Sequence, residues 1–462
     1  MTRQAPLELG EKPIPQLLFQ YALPSIVAMT ATSTLNIVDR IFIGQGVGPL
    51  AIAGLASTLP FMNLGAAFGA MVGVGTGAVI SIRLGQEKYD TALRVLGNAV
   101  TLNIIIGLLF AVICWIFLDP LLILFGASQN TLPYARDYMQ VLLIGNVISH
   151  SYLGLNNVIR AAGHPTKSML CTILAVGLNC VLDPLFIYGF HWGIRGGAIA
   201  TVIAQTASFV WQLFILSNPS EVLHLQRGIY RVSLKIIRQI IAIGMSPFLM
   251  NCCACLVVIF INTGMRKYGD LLPIPGGGDR AIAAYGIDNS VIFFFLMIVV
   301  GINQGMQPIA GYNWGARKNE RVWEVLRYAI LVATVITSIG FFIGELAPEF
   351  VVSMFTKDKH IIEIAARGFR IDVLVFPVVG TQMVISNLFQ NIGHAGKSII
   401  LSLTRQALFL LPGLYLLPLL WGLDGVWTAI PIADALSIIL ALIMLGWLIR
   451  HVRRAELSSH TR

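Results

Sequence analysis

The chain has 462 residues, of which 56% are hydrophobic and 11% charged, with 31 Lys and Arg against 22 Asp and Glu. Soluble globular proteins carry about 25% charged residues, so this composition excludes a soluble enzyme and a disordered protein. Spans of about 20 apolar residues leave room for about a dozen membrane helices joined by short loops, which indicates a polytopic integral membrane protein.

Long apolar runs predict twelve transmembrane helices, six in each half of the chain. Residues 1–15 are polar and hold no cleavable apolar core, so the first run is expected to be a retained span. The predicted helices of the first half are 16–38, 51–80, 95–118, 138–160, 168–190 and 196–216. Those of the second half are 236–263, 281–311, 325–345, 368–391, 398–421 and 423–449.

Basic residues are concentrated in the loops that follow the even-numbered helices. These loops and the tail place about twenty of the 31 Lys and Arg on one side of the membrane, and the positive-inside rule makes that side cytoplasmic. Both termini are then expected in the cytoplasm. Arg160 is counted among these loop cations, whereas Arg405 is the only cation that we place deep within a span. The net charge of +9 does not indicate a nucleic-acid partner, because the basic residues are spread between apolar runs.

The two halves of the chain carry a repeat with a spacing of 230 residues. The sequence GHPTKS at 163–168 recurs as GHAGKS at 393–398, which places His164 and His394 at equivalent turns. An even number of spans separates the copies, so both halves have the same orientation and are predicted to form two pseudo-symmetric bundles. We predict an N-terminal six-helix lobe at 1–216, a cytoplasmic linker at 217–235 and a C-terminal six-helix lobe at 236–462.

Acidic residues inside membrane spans are costly and usually functional. Asp39 lies near the end of the first helix, and Asp183 lies in the fifth. Asn179 is one turn from Asp183 on the same helix face, and Thr201 of the sixth helix offers a hydroxyl. Carboxylate, amide and hydroxyl oxygens suit a proton or Na⁺. The equivalent positions of the second half carry no acid, so this cation site is predicted in the first half only.

Several polar or adaptable side chains are candidates for lining a central substrate cavity. Asn36 shares a helix face with Asp39, and a methionine offers an adaptable apolar wall to varied compounds. The amides of the fourth and eighth helices fit hydrogen bonds between packed helices equally well. The candidate cavity residues are Met29, Asn36, Asn156, Asn157, Gln304 and Gln307.

Other polar and small residues favour structural roles. Asp434 and Arg405 are expected to pair in the second half, because burying either charge alone is expensive. Asp288 follows Gly286 and fits an N-terminal cap of the eighth helix. Glycines at 65, 69, 73 and 77 have the four-residue spacing of close helix packing. The sequence shows no Ser-His-Asp arrangement, P-loop or metal cluster, so neither an enzyme nor a cofactor is expected.

Taken together, these residues resemble the multidrug and toxic compound extrusion (MATE) transporters over essentially the whole chain, most closely their bacterial DinF-like and MepA-like members. The motifs include GINQGMQP at 301–308 and GYNWGA at 311–316. The single residues that carry the resemblance are Pro24, Asp39, Asn179, Asp183, Pro184 and Thr201. The resemblance implies an all-α, V-shaped transporter of twelve transmembrane helices, with a site for the coupling cation, H⁺ or Na⁺, at Asp39, Asn179, Asp183 and Thr201. Leu35 stands where some relatives have a Tyr, so the hydrogen-bond network described beside that Tyr is not carried over.

The resemblance further implies export of amphipathic, often cationic, drugs in exchange for H⁺ or Na⁺. The expected partners are small-molecule drugs or organic cations and membrane lipids. We expect a multi-pass monomer in the bacterial cytoplasmic (inner) membrane. A flippase for lipid-linked saccharides of the same superfamily is one alternative, and it favours several Arg or Lys residues in the cavity. A nontransporting scaffold or receptor is another, and it needs no acids that face each other inside one bundle.

Overall fold

Residues 8–460 are described by the computed structural model, and within that range the chain is helical, with no strand. Two π-helical turns, Leu185–Gly189 and Thr404–Leu410, occur among the α-helices. In chain order these are α1 (Glu8–Glu11), α2 (Ile14–Gly46), α3 (Pro49–Gly85), α4 (Tyr89–Ile116), α5 (Leu118–Leu124), α6 (Leu132–Ile144), α7 (Asn146–Ala161), α8 (Pro165–Pro184), α9 (Gly193–Ser217), α10 (Leu234–Gly269), α11 (Gly277–Gly315), α12 (Asn319–Leu346), α13 (Pro348–Ser353), α14 (Lys359–Val373), α15 (Phe376–Asn391), α16 (Ala395–Leu403), α17 (Leu411–Trp421) and α18 (Leu423–His460).

Ten helices within residues 8–460 are long and apolar enough to cross a membrane, and α14 with α15, bent by 52°, make eleven if they form one span. The predicted fourth helix, 138–160, is not continuous, because the helix is interrupted at Gly145 between α6 and α7. A Cβ atom at Gly145 would lie 2.5 Å from a methyl group of Val202, so α9 packs tightly against the break. The polar side chains of α7 explain why this segment is less apolar than the other spans.

The two π-helical turns lie in the fifth and eleventh predicted helices, which are equivalent in the repeat. The first follows directly after Pro184 at the end of α8, and the second continues α16. A π-helical turn displaces the backbone by one residue and is frequent at functional sites. Asp183 lies two residues before the first turn, and Arg405 lies within the second. Each turn is therefore at or close to a charged residue.

The chain divides into two compact units. The first contains the chain up to Cys252 together with Gln304–Val325 and Gln390–Ala395. The second contains Cys253–Asn303, Leu326–Phe389 and the chain from Gly396 onward. The helices α10, α11 and α12 each begin in one unit and end in the other. The lobes 1–216 and 236–462 stay a sequence prediction.

Close packing of α3 in the first unit explains its glycines. A Cβ atom at Gly69 would lie 3.1 Å from Leu153, and one at Gly73 would lie 2.6 Å from the amide of Asn157. Gly77 similarly faces Gln307. These contacts confirm the close helix packing that the four-residue glycine spacing predicts.

The segment between α9 and α10 is held by side chains of the first unit. The amide of Asn98 donates to the carbonyl of Arg231 and accepts from the backbone N–H of Ser233. Glu221 contacts the start of α8, with His164 Nε2 at 2.5 Å and Lys167 Nζ at 2.6 Å. Burial acts to raise the pKa of the Glu221 carboxyl, but the hydrogen bonds with Lys167 and His164 outweigh it and hold that pKa below its usual value.

Gly244 tests the packing of α10 on α3, because a Cβ atom there would lie 1.8 Å from the backbone carbonyl of Met71. Gly244→Ala is expected to destabilise the protein by about 1–3 kcal/mol, the usual penalty of overpacking. Gly446→Ala is the matched control, since a Cβ atom at Gly446 meets open space. Thermal unfolding of the purified variants measures the difference. Equal midpoints for the two variants would contradict the packing described here.

Glu221→Gln tests the clamp on the linker, that is, the contacts of Glu221 with His164 and Lys167. We expect a Tm about 1–3 °C below that of the wild type at pH 7, because partly exposed ion pairs contribute little each. The carboxyl has a lowered pKa when folded, so its contribution is present above about pH 4.3 and is lost as the pH falls through the lowered value. The Tm difference should therefore shrink on acidification. Glu349→Gln, at an exposed site, is the control, and a pH-independent difference would argue against the clamp.

Candidate functional site

Two carboxylates meet in the interior of the first unit. Asp183, at the end of α8, is 1% exposed, and Asp39 of α2 is partly buried. The two carboxyl groups lie within hydrogen-bonding reach of each other. The helices α2 and α8 pack together and so hold the two acids side by side. The structure thus brings together the two acids that the sequence singled out.

Asn179 and Thr201 complete this group. The amide Nδ2 of Asn179 donates to Asp183 Oδ1 at 3.2 Å and to Thr201 Oγ1 at 3.3 Å. The Thr201 hydroxyl itself donates to the backbone carbonyl of Gly197 at 3.1 Å. Because its hydrogen is used within α9, the Thr201 oxygen presents lone pairs toward Asn179. All four residues predicted for the cation site therefore lie in one cluster.

The cluster contains more acceptors than donors. Asp39 Oδ1, Asn179 Oδ1 and Asp183 Oδ2 are buried oxygens without a hydrogen-bond partner among the described residues. Buried acceptors of this kind need a donor or a cation. Carboxylate and amide oxygens are hard ligands, which fit either a proton held between the acids or Na⁺. These residues are therefore chemically suited to a small cation.

A cavity of about 320 Å³ lies beside the cluster in the first unit. Its lining includes Asn179 and Thr201, so the cluster and the cavity share a wall. Four of the six predicted cavity residues also lie in the lining: Met29, Asn156, Asn157 and Gln304.

The other two predicted cavity residues lie outside this lining. Asn36 is exposed, and Gln307 donates its amide to the backbone carbonyl of Val74 at 3.0 Å. Asn156, which does line the cavity, also donates to Thr172 Oγ1 at 3.0 Å and so joins α7 to α8. An amide can thus line the cavity and bond between helices at once.

Arg160 lies in a place that the sequence analysis did not predict. It was counted as a loop cation, but it is 6% exposed, belongs to the last turn of α7 and lines the cavity. Side chains in a helix lean toward its N-terminus, so a residue at the end of a helix can reach back into the span. The expectation that Arg405 is the only deep cation is therefore wrong. The signal available in the sequence was Asn157, three residues earlier on the same face.

The second unit contains its own buried charges. Arg405 Nε donates to Asp434 Oδ1 at 2.6 Å, which confirms the predicted pair. The interpretation of Asp288 as a helix cap is wrong, because α11 begins eleven residues earlier, at Gly277, and Asp288 is fully buried within it. Both of its carboxylate oxygens lack a partner among the described residues. Asp372 of α14 is also buried and was missed, because it lies close to the start of its predicted span.

Asp434→Ala would leave Arg405 buried without its carboxylate and is expected to destabilise the protein by about 3–5 kcal/mol. The double change Arg405→Met with Asp434→Leu should recover part of this loss, because neither member of the pair is then buried without the other. Asp424→Ala removes the partly buried partner of the exposed Arg367 and serves as the control, with an expected effect below about 1 kcal/mol. Thermal unfolding measures all three. A double variant as unstable as Asp434→Ala would show that the pair is not what holds this region.

A family model and several curated relatives match most of the chain. The family model MatE matches residues 24–185 and 271–416, which include Asp39, Asn179 and Asp183 but not Thr201. The multidrug export protein MepA of Staphylococcus haemolyticus is 26% identical over 432 residues, covering 94% of this chain and 93% of the relative. MepA of Staphylococcus aureus strain NCTC 8325 is 26% identical over 438 residues, covering 94% of each chain.

Solved structures match the fold over nearly the whole chain. The outward-facing conformation of a multidrug resistance MATE family transporter superposes with a TM-score of 0.89 at 24% identity, covering 98% of this chain and all of the other. A transporter of the MOP superfamily from Pyrococcus furiosus, described as having a binding pocket of reverse polarity, gives a TM-score of 0.88 at 24% identity, with 98% and 100% covered. These matches confirm the all-α, two-lobed fold class predicted from the sequence.

Proposed function

Because the chain belongs to the MATE family of multidrug efflux transporters, we propose that it exports amphipathic or cationic organic compounds by antiport with H⁺ or Na⁺. The observation that supports this most is the wall that the cation cluster shares with the cavity. Asn179 and Thr201 line the cavity and are hydrogen-bonded within the cluster. Occupancy of the cation cluster is therefore linked to the shape and charge of the cavity.

In the proposed cycle the coupling cation enters the cluster from outside. It takes the unpartnered oxygens of Asp39, Asn179 and Asp183 as acceptors. With the cation bound, the amide of Asn179 and the neighbouring turns of α2 and α8 adjust, and the affinity of the cavity for the exported compound falls. Release of the cation to the cytoplasm restores that affinity. Such coupling requires that the cation bind the two access states with different free energies.

The proposal includes where and how the protein works. We place it as a multi-pass monomer in the bacterial cytoplasmic membrane with both termini in the cytoplasm, and it needs no cofactor besides the coupling ion. It performs no chemical conversion, since its cargo is moved unchanged. The flippase alternative is less favoured, because the cavity described above has one cation in its lining, Arg160, and a pyrophosphate calls for several.

Asp39→Asn and Asp183→Asn are expected to reduce efflux of ethidium, a cationic amphipathic dye, to below about a tenth of the wild-type rate. Each change keeps the shape of the side chain but removes the charge that holds the cation. Asp137→Asn is the control, because Asp137 is partly exposed and paired with Arg195 away from the cavity. Efflux is measured from proteoliposomes at equal protein content. Full efflux by either cluster variant would contradict the assignment of the site.

The coupling ion is identified by imposing the two gradients separately on the same proteoliposomes. Efflux driven by an inward proton gradient without Na⁺ assigns H⁺, and efflux driven by an inward Na⁺ gradient at equal pH assigns Na⁺. Efflux in neither condition would overturn the antiport proposal.

A further inference from the structure

Arg160 points to a second binding group in the same cavity. We propose that its guanidinium binds an oxyanion carried by an amphipathic molecule, so that the cavity accepts compounds with a carboxylate or phosphate group. This inference rests on the proposed function, because it names a class of compound for the cavity assigned to export. It concerns the end of the cavity formed by α7 and the start of α8, and not the cation cluster.

The hydrogen bonds of Arg160 leave part of its guanidinium free. Nη1 donates to Gln304 Oε1, and Nη2 donates to Asn157 Oδ1. Nε is buried and has no acceptor among the described residues. The guanidinium carries five N–H donors in a flat fork, so two bonds leave donors unused. The two amides orient the fork and keep it in the cavity wall.

The charge of Arg160 is not neutralised by the chain. Both partners are neutral amides, and no carboxylate within residues 8–460 forms an ion pair with it. Arg405 offers a comparison, because its largely buried guanidinium has the carboxylate of Asp434 at 2.6 Å. A buried cation is ordinarily paired, because desolvation otherwise opposes folding. The oxyanion of a bound molecule supplies the missing partner, and bidentate pairing with a carboxylate or phosphate suits the fork.

The surroundings of Arg160 fit an amphipathic occupant. Polar groups of Asn156, Ser168 and Thr172 line the cavity near it, whereas Leu153 and Met169 provide apolar wall. Pro165 at the start of α8 and Asn179 in the acid cluster both line the cavity and lie 14 residues apart, about 21 Å along the helix, so the cavity has room for an oxyanion away from the acids. An oxyanion at Arg160 therefore avoids the carboxylates of Asp39 and Asp183.

Binding of dansylglycine and of its methyl ester to the full-length protein in nanodiscs of neutral lipid tests this site. The two probes differ only in the carboxylate, and dansyl fluorescence reports transfer into the cavity, with empty nanodiscs subtracted. The wild type should bind the acid about tenfold or more tightly than the ester, once the affinities are corrected for lipid partitioning. In Arg160→Gln the ratio of affinities should fall to about one, and Arg160→Lys should keep part of it. Arg195→Gln removes an exposed arginine outside the cavity and should leave the ratio unchanged.

Each outcome decides the proposal. A wild-type ratio near one overturns it, and so does an Arg160→Gln variant that weakens both probes equally, which is the sign of a purely structural arginine. If Arg160→Gln does not fold, the wild-type ratio and Arg160→Lys still decide. Failure of ethidium efflux with an intact acid-to-ester ratio would overturn the export function while leaving this site standing.

The same assay distinguishes the two sources of an oxyanion. Nanodiscs that contain phosphatidylglycerol are compared with neutral ones. A phospholipid headgroup at Arg160 would compete with dansylglycine and weaken its binding in the wild type but not in Arg160→Gln. Unchanged dansylglycine binding would assign the site to a free amphipathic acid. Both results support an oxyanion site, and they differ only in its natural occupant.

Discussion

The cost of holding a charge inside a membrane constrains most of the polar features of this protein. Insertion scales put that cost at about 2.5–3.5 kcal/mol for a charged residue at the centre of a span. Arg405 and Asp434 offset this cost by pairing with each other. Asp39 and Asp183 lie together with too few donors, and Arg160 has amide partners only. The first arrangement is complete within the chain, whereas the other two leave positions for a cation and an anion.

In the proposed cycle, the shared wall links the cavity to the coupling ion. The amide nitrogen of Asn179 donates hydrogen bonds to Asp183 and Thr201, whereas its amide oxygen has no donor among the described residues. A cation that takes this oxygen fixes the amide, and the amide forms part of the cavity surface. A π-helical turn begins two residues after Asp183, and turns of this kind are frequent at functional sites. In the proposed cycle, this is the physical route by which one small ion would change the binding of a much larger molecule.

Sequence reasoning succeeded where scarcity of charge made a residue conspicuous. Asp39 and Asp183 stand out within apolar runs, and their proximity followed from helix periodicity and the family resemblance. It failed at helix ends, where apolar runs do not define the boundary. The cap assigned to Asp288 rests on Gly286 two residues earlier, although Asp288 lies inside both the predicted span 281–311 and α11. Arg160 ends the predicted span 138–160 and is counted with the loop, although α7 continues to Ala161. Which way a terminal side chain points depends on tertiary packing, which the sequence does not display.

The proposed cycle links the cation and the exported compound through the Asp39 and Asp183 cluster. The most direct measurement is the equilibrium affinity of purified wild type and Asp183→Asn for ethidium, at several pH values and Na⁺ concentrations. Linkage of this kind is usually about 5- to 150-fold, so wild-type affinity should fall by that order as the coupling cation is added, while the variant does not respond. Wild-type affinity that is independent of both cations, or a variant that responds like the wild type, would contradict the account.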